Sequence, residues 1–342
     1  MRYPSFLQKN GRVGTIAPSF GCTCEPYISE YESAKAFLEA EGYTLVTGEN
    51  CFLSDGIGKS TSPEKCGAET DRFFLGKEAD VLISMGGGET MCEDLPFVHF
   101  DALAQAEPKW FMGYSDNTNL TFLLPTLCDT AAVYGPNFPA FGVRPLPDFA
   151  RDALELLKGE RLTVHNYPLW ESTSLRTEED PLVPYNMTEP FHMLRYPETD
   201  GSVRFSGRLL GGCLDCLINL CGTRFDNVKA FTEKYRQDGV IWFLEACDLS
   251  PFGVRRALWQ LSNAGWFDTA KGFLIGRPAC FGAEQFSLTM PLAVTDMLGS
   301  LGKPILMDLD IGHLPPRMPL IEGALAEVEA GENSITVSMR LV

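Results

Sequence analysis

The feature that most limits what this chain can become is a set of short, wholly apolar runs that end on glycine or on polar groups. ADVLISMGGG (Ala79–Gly88), KWFMGYSD (Lys109–Asp116), IWFLE (Ile241–Glu245), GFLIG (Gly272–Gly276) and PILMDLDIGH (Pro304–His313) are all of this kind. Four or five apolar residues without alternation suit strands covered on both faces, which belong to parallel sheets. RVGTIAPS (Arg12–Ser19) reads as a further strand, leaving the sheet at Pro18, and YTLVT as another. Helical patterns lie between them: Tyr31–Gly42, closed by its glycine, Phe149–Leu157, stopped by Gly159, and Val254–Asn263. Strands alternating with helices predict an α/β protein with a largely parallel sheet.

The rhythm breaks once. Residues 160–205 carry several prolines, mixed charges and little periodicity, which predicts a linker or surface excursion between a domain over 1–159 and a second over 206–342. The second domain is expected to be mixed α/β with antiparallel content. Its tail, ALAEVEAGENSITVSM (Ala324–Met339), sets two alternating runs around Gly331-Glu332-Asn333, a hairpin signature.

Composition removes several function classes. Over 342 residues the 45 acidic and 28 basic side chains leave a net charge of −17. Such a surface repels phosphate backbones, and no Lys/Arg cluster offers a local exception, so a nucleic acid polymer is not an expected partner. No apolar run reaches the ~18 residues of a membrane span. The opening residues lack a signal-peptide core, so a cytoplasmic location is expected. Of the eleven cysteines most stand singly among apolar residues. Cys213-Leu-Asp-Cys216, with Cys221, has thiolate-like spacing but neither a second such pair nor a histidine nearby, so no metal is expected. Neither a GxxxxGK[ST] loop nor a GxGxxG turn after the first strand is present, and no cofactor is expected.

Active sites of open α/β sheets lie at the carboxyl ends of strands. Three ends stand out: Gly86-Gly87-Gly88-Glu89, Gly113-Tyr114-Ser115-Asp116 and Ile311-Gly312-His313. The glycine run lets backbone approach a ligand, as an oxyanion hole or simply as a tight turn. Ser115, at a strand-to-helix junction, is either a presented nucleophile or a plain helix cap. A serine attacks only when an imidazole takes its proton. Of His99, His165, His192 and His313, only His313 follows a buried strand and a glycine before a rigid Pro315-Pro316 loop. Glu245 is the best acceptor for that imidazole, because an ionisable group ending a buried run is costly unless paired. Asp248, Asp308 and Asp310 remain open, and Glu245 could instead form an ion pair with Arg208.

KWFMGYSDNTNL, VLISMGGGET, IWFLEACD and DIGHLPPRMPL, in this order, resemble the signature regions of the LD-carboxypeptidase and microcin-immunity family of serine peptidases. VGTIAPS and FLSDGIGKSTSPEKC (Phe52–Cys66) are similar to its N-terminal part. The resemblance implies a doubly wound, largely parallel N-terminal domain and a smaller, β-rich mixed C-terminal domain. It also implies a homodimer without metal. It implies a triad of Ser115, Glu245 and His313 drawn from both domains, with an oxyanion hole from the backbone of Gly87 and Asp116. Gly88, Glu89 and Trp170 become candidates for the substrate pocket. The implied substrates are small: a murein tetrapeptide cut at its L-to-D amide with release of D-alanine or, as in the microcin-immunity branch, an aminoacyl or peptidyl nucleotide conjugate. A non-catalytic α/β ligand-binding protein is the remaining alternative. The chain departs from the family pattern at Asn117 (commonly isoleucine), at Cys66 (usually arginine) and in Pro319–Gly323, one residue longer than usual. Trp170 is the only tryptophan in the segment where immunity proteins stack a nucleotide base.

Overall fold

The run RVGTI forms β1 (Arg12–Ile16), buried along its last four residues. Helix α1 (Tyr27–Ala40) follows, then β2 (Thr44–Thr47), α2 (Pro63–Leu75), β3 (Val81–Ser84), α3 (Phe100–Gln105) and β4 (Trp110–Gly113). Two short helices, α4 (Thr118–Thr121) and α5 (Leu123–Cys128), lead to β5 (Ala132–Tyr134) and α6 (Asp148–Leu157). In this computed structural model, which describes residues 1–198 and 201–342, these elements belong to a unit comprising Met1–Arg161 and Thr173–Asn186. Thr199 and Asp200, inside the expected excursion, lie outside the described residues.

The five strands of this unit pair in the order β2-β1-β3-β4-β5, parallel throughout. The order reverses between β1 and β3, which makes the sheet doubly wound and places a crevice at the carboxyl ends beside that switch. Val81, Leu82 and Ile83 of β3 and Trp110, Phe111 and Met112 of β4 are wholly buried. The sequence's apolar runs are thus this sheet's centre, as burial on both faces requires.

The second unit, Leu162–Ser172 with Met187–Val342, opens with four short strands: β6 (Thr163–His165), β7 (Leu169–Trp170), β8 (Glu189–Pro190) and β9 (Leu194–Tyr196). The long β10 (Val203–Cys213), α7 (Leu214–Leu220), α8 (Val228–Lys234), β11 (Val240–Glu245), α9 (Pro251–Asn263) and β12 (Ala270–Gly276) come next. A small hairpin of β13 (Glu284–Gln285) and β14 (Leu288–Thr289) precedes α10 (Met290–Leu298) and β15 (Ile305–Leu309). The chain ends with β16 (Leu320–Glu322), β17 (Leu325–Ala330) and β18 (Ile335–Arg340). Eight strands form one sheet in the order β6-β18-β17-β10-β11-β12-β15-β9.

The middle of that sheet, β10-β11-β12-β15, is parallel and linked by helices. Its flanks are antiparallel, including the tail hairpin of β17 and β18 expected from the sequence. Four parallel strands therefore present their carboxyl ends together, and these ends carry Cys213, Glu245, Gly276-Arg277 and the loop from Leu309 to His313. Among the described residues no helix is long and apolar enough to cross a membrane.

Candidate active site

Strand β4 stops at Gly113 because the chain must turn sharply into α4, and Ser115 takes the strain of that turn. Its φ is +65°, a left-handed conformation that costs a residue with a Cβ about 1–2 kcal/mol. A serine held this way at a strand-to-helix elbow has its hydroxyl lifted off the backbone surface. No glycine relaxes the position, so neighbouring groups must hold it.

Those groups are visible. The Ser115 N–H donates to the Tyr134 hydroxyl at 3.3 Å, and the Tyr114 N–H to Asn137 Oδ1 at 3.3 Å. Asn117 Nδ2 donates to the carbonyls of Gly86 (2.7 Å) and Tyr114 (3.1 Å), tying the elbow to the glycine turn after β3. Asp116 Oδ2 accepts from Ser19 Oγ (2.5 Å) and from the Met91 N–H (2.9 Å). One carboxylate thus joins the ends of three strands' loops.

The glycine turn lies against the serine. A Cβ on Gly87 would stand 3.0 Å from Ser115 Oγ and 3.9 Å from the Asp116 backbone nitrogen. At Gly88, with φ +148°, a Cβ would fall 2.0 Å from Ser19 Oγ. A side chain at Gly87 would crowd the hydroxyl, and glycine there leaves the backbone free to approach it. Glu89 is exposed at the end of the turn.

In the second unit Glu245, the last residue of β11, is almost wholly buried, and its Oε2 accepts from His313 Nδ1 at 2.8 Å. Of the alternatives, Asp310 is engaged elsewhere: it accepts from Arg277 Nη2 at 3.0 Å and from the Tyr167 N–H at 2.8 Å. Arg208, the competing cation for Glu245, donates from Nε to Asp238 at 2.7 Å and from Nη1 to the Gly323 carbonyl. Two glycines make the Glu245–His313 approach feasible. A Cβ on Gly312, whose φ is +103°, would sit 2.5 Å from Glu245 Oε2, and one on Gly276 would sit 2.2 Å from the Ile311 carbonyl oxygen. A bond from Nδ1–H to a carboxylate fixes the tautomer in which Nε2 is the basic nitrogen.

Burial pushes the Asp310 carboxyl up to about 6, against the pull of Arg277 and the Tyr167 N–H. The same burial lowers the Arg277 guanidinium. A hydrogen bond with the neighbouring Cys216, reinforced by burial, holds the Cys213 thiol well above its ordinary range. Trp170 is 7% exposed, with the Arg277 guanidinium 4.4 Å from its ring centre and Phe281 edge-on at 5.0 Å. Its Nε1–H donates to the Pro190 carbonyl at 3.1 Å. A cavity of about 30 Å³ beside Glu245, lined by Leu214, Val254, Met290 and Met307 among others, has room for a water but not for a substrate.

Each candidate can thus be placed. Ser115, Asp116, Gly87, Gly88 and Glu89 belong to the first unit, and Glu245, His313 and Trp170 to the second. Sequence reasoning passed over Ser19, Tyr134 and Asn137, which hold the elbow in place. Ser19 alone left a signal, since it ends the first strand's APS turn. The departure at Cys66 falls in the core, where its thiol lies 3.4 Å from Ser60 Oγ.

The sequence matches the model of the LD-carboxypeptidase N-terminal domain over residues 13–135 and that of the LD-carboxypeptidase C-terminal domain over residues 206–328. The chain belongs to the LD-carboxypeptidase family. It is a serine carboxypeptidase-like enzyme. Among its relatives are the microcin C7 self-immunity protein MccF of Escherichia coli, 24% identical over 88% of this chain and 86% of that one. The probable murein peptide carboxypeptidase of Bacillus subtilis is 25% identical over 98% and 93%. Among solved structures, wild-type MccF without ligand superposes with a TM-score of 0.81 at 21% identity, covering 99% of both chains. An MccF-like protein from Streptococcus pneumoniae in complex with AMP gives 0.76 at 22% identity, covering 96% of this chain and 98% of its own. At such identities the structural likeness establishes the fold, which is the LD-carboxypeptidase fold described above.

Proposed function

We propose that this LD-carboxypeptidase family member hydrolyses the L-to-D amide of a murein tetrapeptide and releases terminal D-alanine, with Ser115, His313 and Glu245 as its triad. The observation that carries the reading is the buried Glu245 carboxylate bonded to His313 Nδ1 at 2.8 Å, because it leaves Nε2 as a base and serves no other purpose so well. His313 takes the Ser115 proton as Oγ attacks the scissile carbonyl. The oxyanion is held by backbone N–H groups at Gly87 and Asp116. The imidazolium, stabilised by Glu245, then protonates the departing D-alanine amine, and water drawn against the same base releases the acyl group from Ser115. Residues before 159 supply the nucleophile in this scheme and residues 206–342 the acid and base.

The peptide is favoured over a nucleotide conjugate by the surroundings of Trp170. Its ring already packs against Arg277 and Phe281, and no second tryptophan in that segment is available to stack on a base. A homodimer acting in the cytoplasm completes the reading.

A side-by-side assay of the purified protein against the tetrapeptide and an aminoacyl nucleotide conjugate tests it. D-alanine release is expected, lowered at least about 10³-fold by Ser115→Ala. The rate should rise with pH as the imidazole loses its proton, since only the neutral ring accepts one. Cleavage of the conjugate alone would replace the substrate and keep the triad. Full activity of Ser115→Ala would end the mechanism.

A further inference from the structure

Cys213 and Glu245 are register partners at the carboxyl ends of the parallel strands β10 and β11. Because Glu245 also holds His313 at 2.8 Å, a thiol, a carboxylate oxygen and an imidazole nitrogen come together, all within 4.8 Å of one another. We propose that these three side chains form a binding site for a thiophilic divalent cation, zinc above all, and that its occupation switches hydrolysis off. The inhibitory part rests on the reading of His313 as the base; the binding part does not.

The chemistry of the donors selects the ion. Thiolate and imidazole favour zinc, whereas magnesium and calcium require shells of oxygen. Bonds of about 2.3 Å to sulfur and 2.0–2.2 Å to nitrogen and oxygen place tetrahedral donor atoms roughly 3.3–3.7 Å apart. The Glu245 oxygen and the His313 nitrogen, 2.8 Å apart, must separate by about 0.5–1 Å, and the sulfur must close to the same spacing.

The thiol now donates to Asp215 Oδ2 at 3.3 Å. Asp215 is itself anchored, accepting from the backbone N–H groups of Cys247 and Asp248 at 3.0 Å each. Metal binding removes the thiol proton, so the bond to Asp215 is given up and the cation must offset the closeness of that carboxylate to the thiolate. On binding, the S–H bond breaks, its electron pair goes to the metal and its proton leaves to solvent; where the ion takes Nδ1, the Nδ1 proton passes through solvent to Nε2 and the ring stays neutral. The cation also offsets the buried Glu245 charge. The His313 side chain, 16% exposed, gives the ion its way in. Three protein donors leave a fourth position for water. A metal on either ring nitrogen of His313 removes the base, by capturing its lone pair or by displacing its bond to Glu245.

Ser115→Ala keeps all three donors and separates binding from turnover. Stripped with chelator and titrated with cobalt(II), this protein and the wild type should each take one equivalent and show thiolate-to-cobalt charge-transfer absorption, which zinc abolishes by displacement. Cys213→Ser should remove that absorption and weaken zinc at least about tenfold in equilibrium dialysis. His313→Gln, at a partly exposed side chain, should weaken zinc comparably and decides the matter if Cys213→Ser misfolds by circular dichroism. Absence of the charge-transfer band, or a band that survives both substitutions on some other cysteine, overturns the site. In the wild type, zinc should stop hydrolysis with the midpoint found by dialysis, EDTA should restore it, and magnesium should do neither. Zinc bound at Cys213 with hydrolysis unchanged overturns the switch. If the stripped wild type hydrolyses nothing, the functional reading fails, and the Ser115→Ala titration still decides the site.

Discussion

Ser115 occupies a conformation that glycine would adopt without cost, with φ +65°, and the strain is retained where the hydroxyl is wanted. Ser115→Gly is therefore expected to abolish hydrolysis while raising stability by up to about 1 kcal/mol. Urea denaturation read alongside the D-alanine assay checks it; a variant less stable than the wild type would show that the elbow is relaxed. Gly312 is the converse case. Its φ of +103° and a would-be Cβ 2.5 Å from Glu245 Oε2 leave no room for a side chain. Gly312→Ala should cost about 1–3 kcal/mol and slow turnover by pushing His313 off its carboxylate. Unchanged melting temperature and rate would contradict that. The sequence marked Gly312 only as a residue before a histidine; the need for it arises from Glu245, 67 positions away along the chain.

At the scale of elements, the loop after β2 and the turn after β3 are joined through charge rather than through pairing. Lys59 Nζ, almost fully buried, lies 2.8 Å from Asp94 Oδ1 and 3.2 Å from Glu93 Oε2. Burial nonetheless pushes the Asp94 carboxyl up to about 7, although Lys59 opposes the rise. A folded-state value above the unfolded one means that the native protein holds the proton longer. This contribution to stability is therefore complete below about pH 4 and is lost as pH rises toward 7. The slope is at most about 1.4 kcal/mol per pH unit for one proton. Asp94→Asn should remove it, so the difference in urea midpoint between wild type and variant must change with pH across this window. A constant difference from pH 4 to 7 would refute the assignment. The sequence showed the strands on either side clearly, because their apolar runs are uninterrupted. It did not show this junction, because a buried lysine has no periodicity to betray it.

The whole molecule carries a net charge of −17, and long-range repulsion from phosphate follows from that number alone. No retardation of duplex DNA is expected even at low salt, where such binding would be strongest. A salt-sensitive mobility shift would reveal a basic surface that the composition conceals. At this scale the sequence also determined the α/β class, the order of the principal strands, the tail hairpin and the strand ends that carry Ser115, Glu245 and His313. Each is a local property, written in apolar run length, in the glycine that ends a run, or in the alternation of β17 and β18. Tertiary structure alone decided which residues meet. It chose Glu245 over Asp248, Asp308 and Asp310 as the partner of His313, set Arg208 on Asp238, and gathered Ser19, Asn117 and Asp116 around the elbow. It also distributed residues 162–172 and 173–186 between different units. The physical reason is that a hydrogen bond requires a distance of about 3 Å, and sequence spacing fixes distance only within one helix or strand. Between elements, distance is set by sheet order and register, as when pairing of β10 with β11 brought Cys213 beside Glu245.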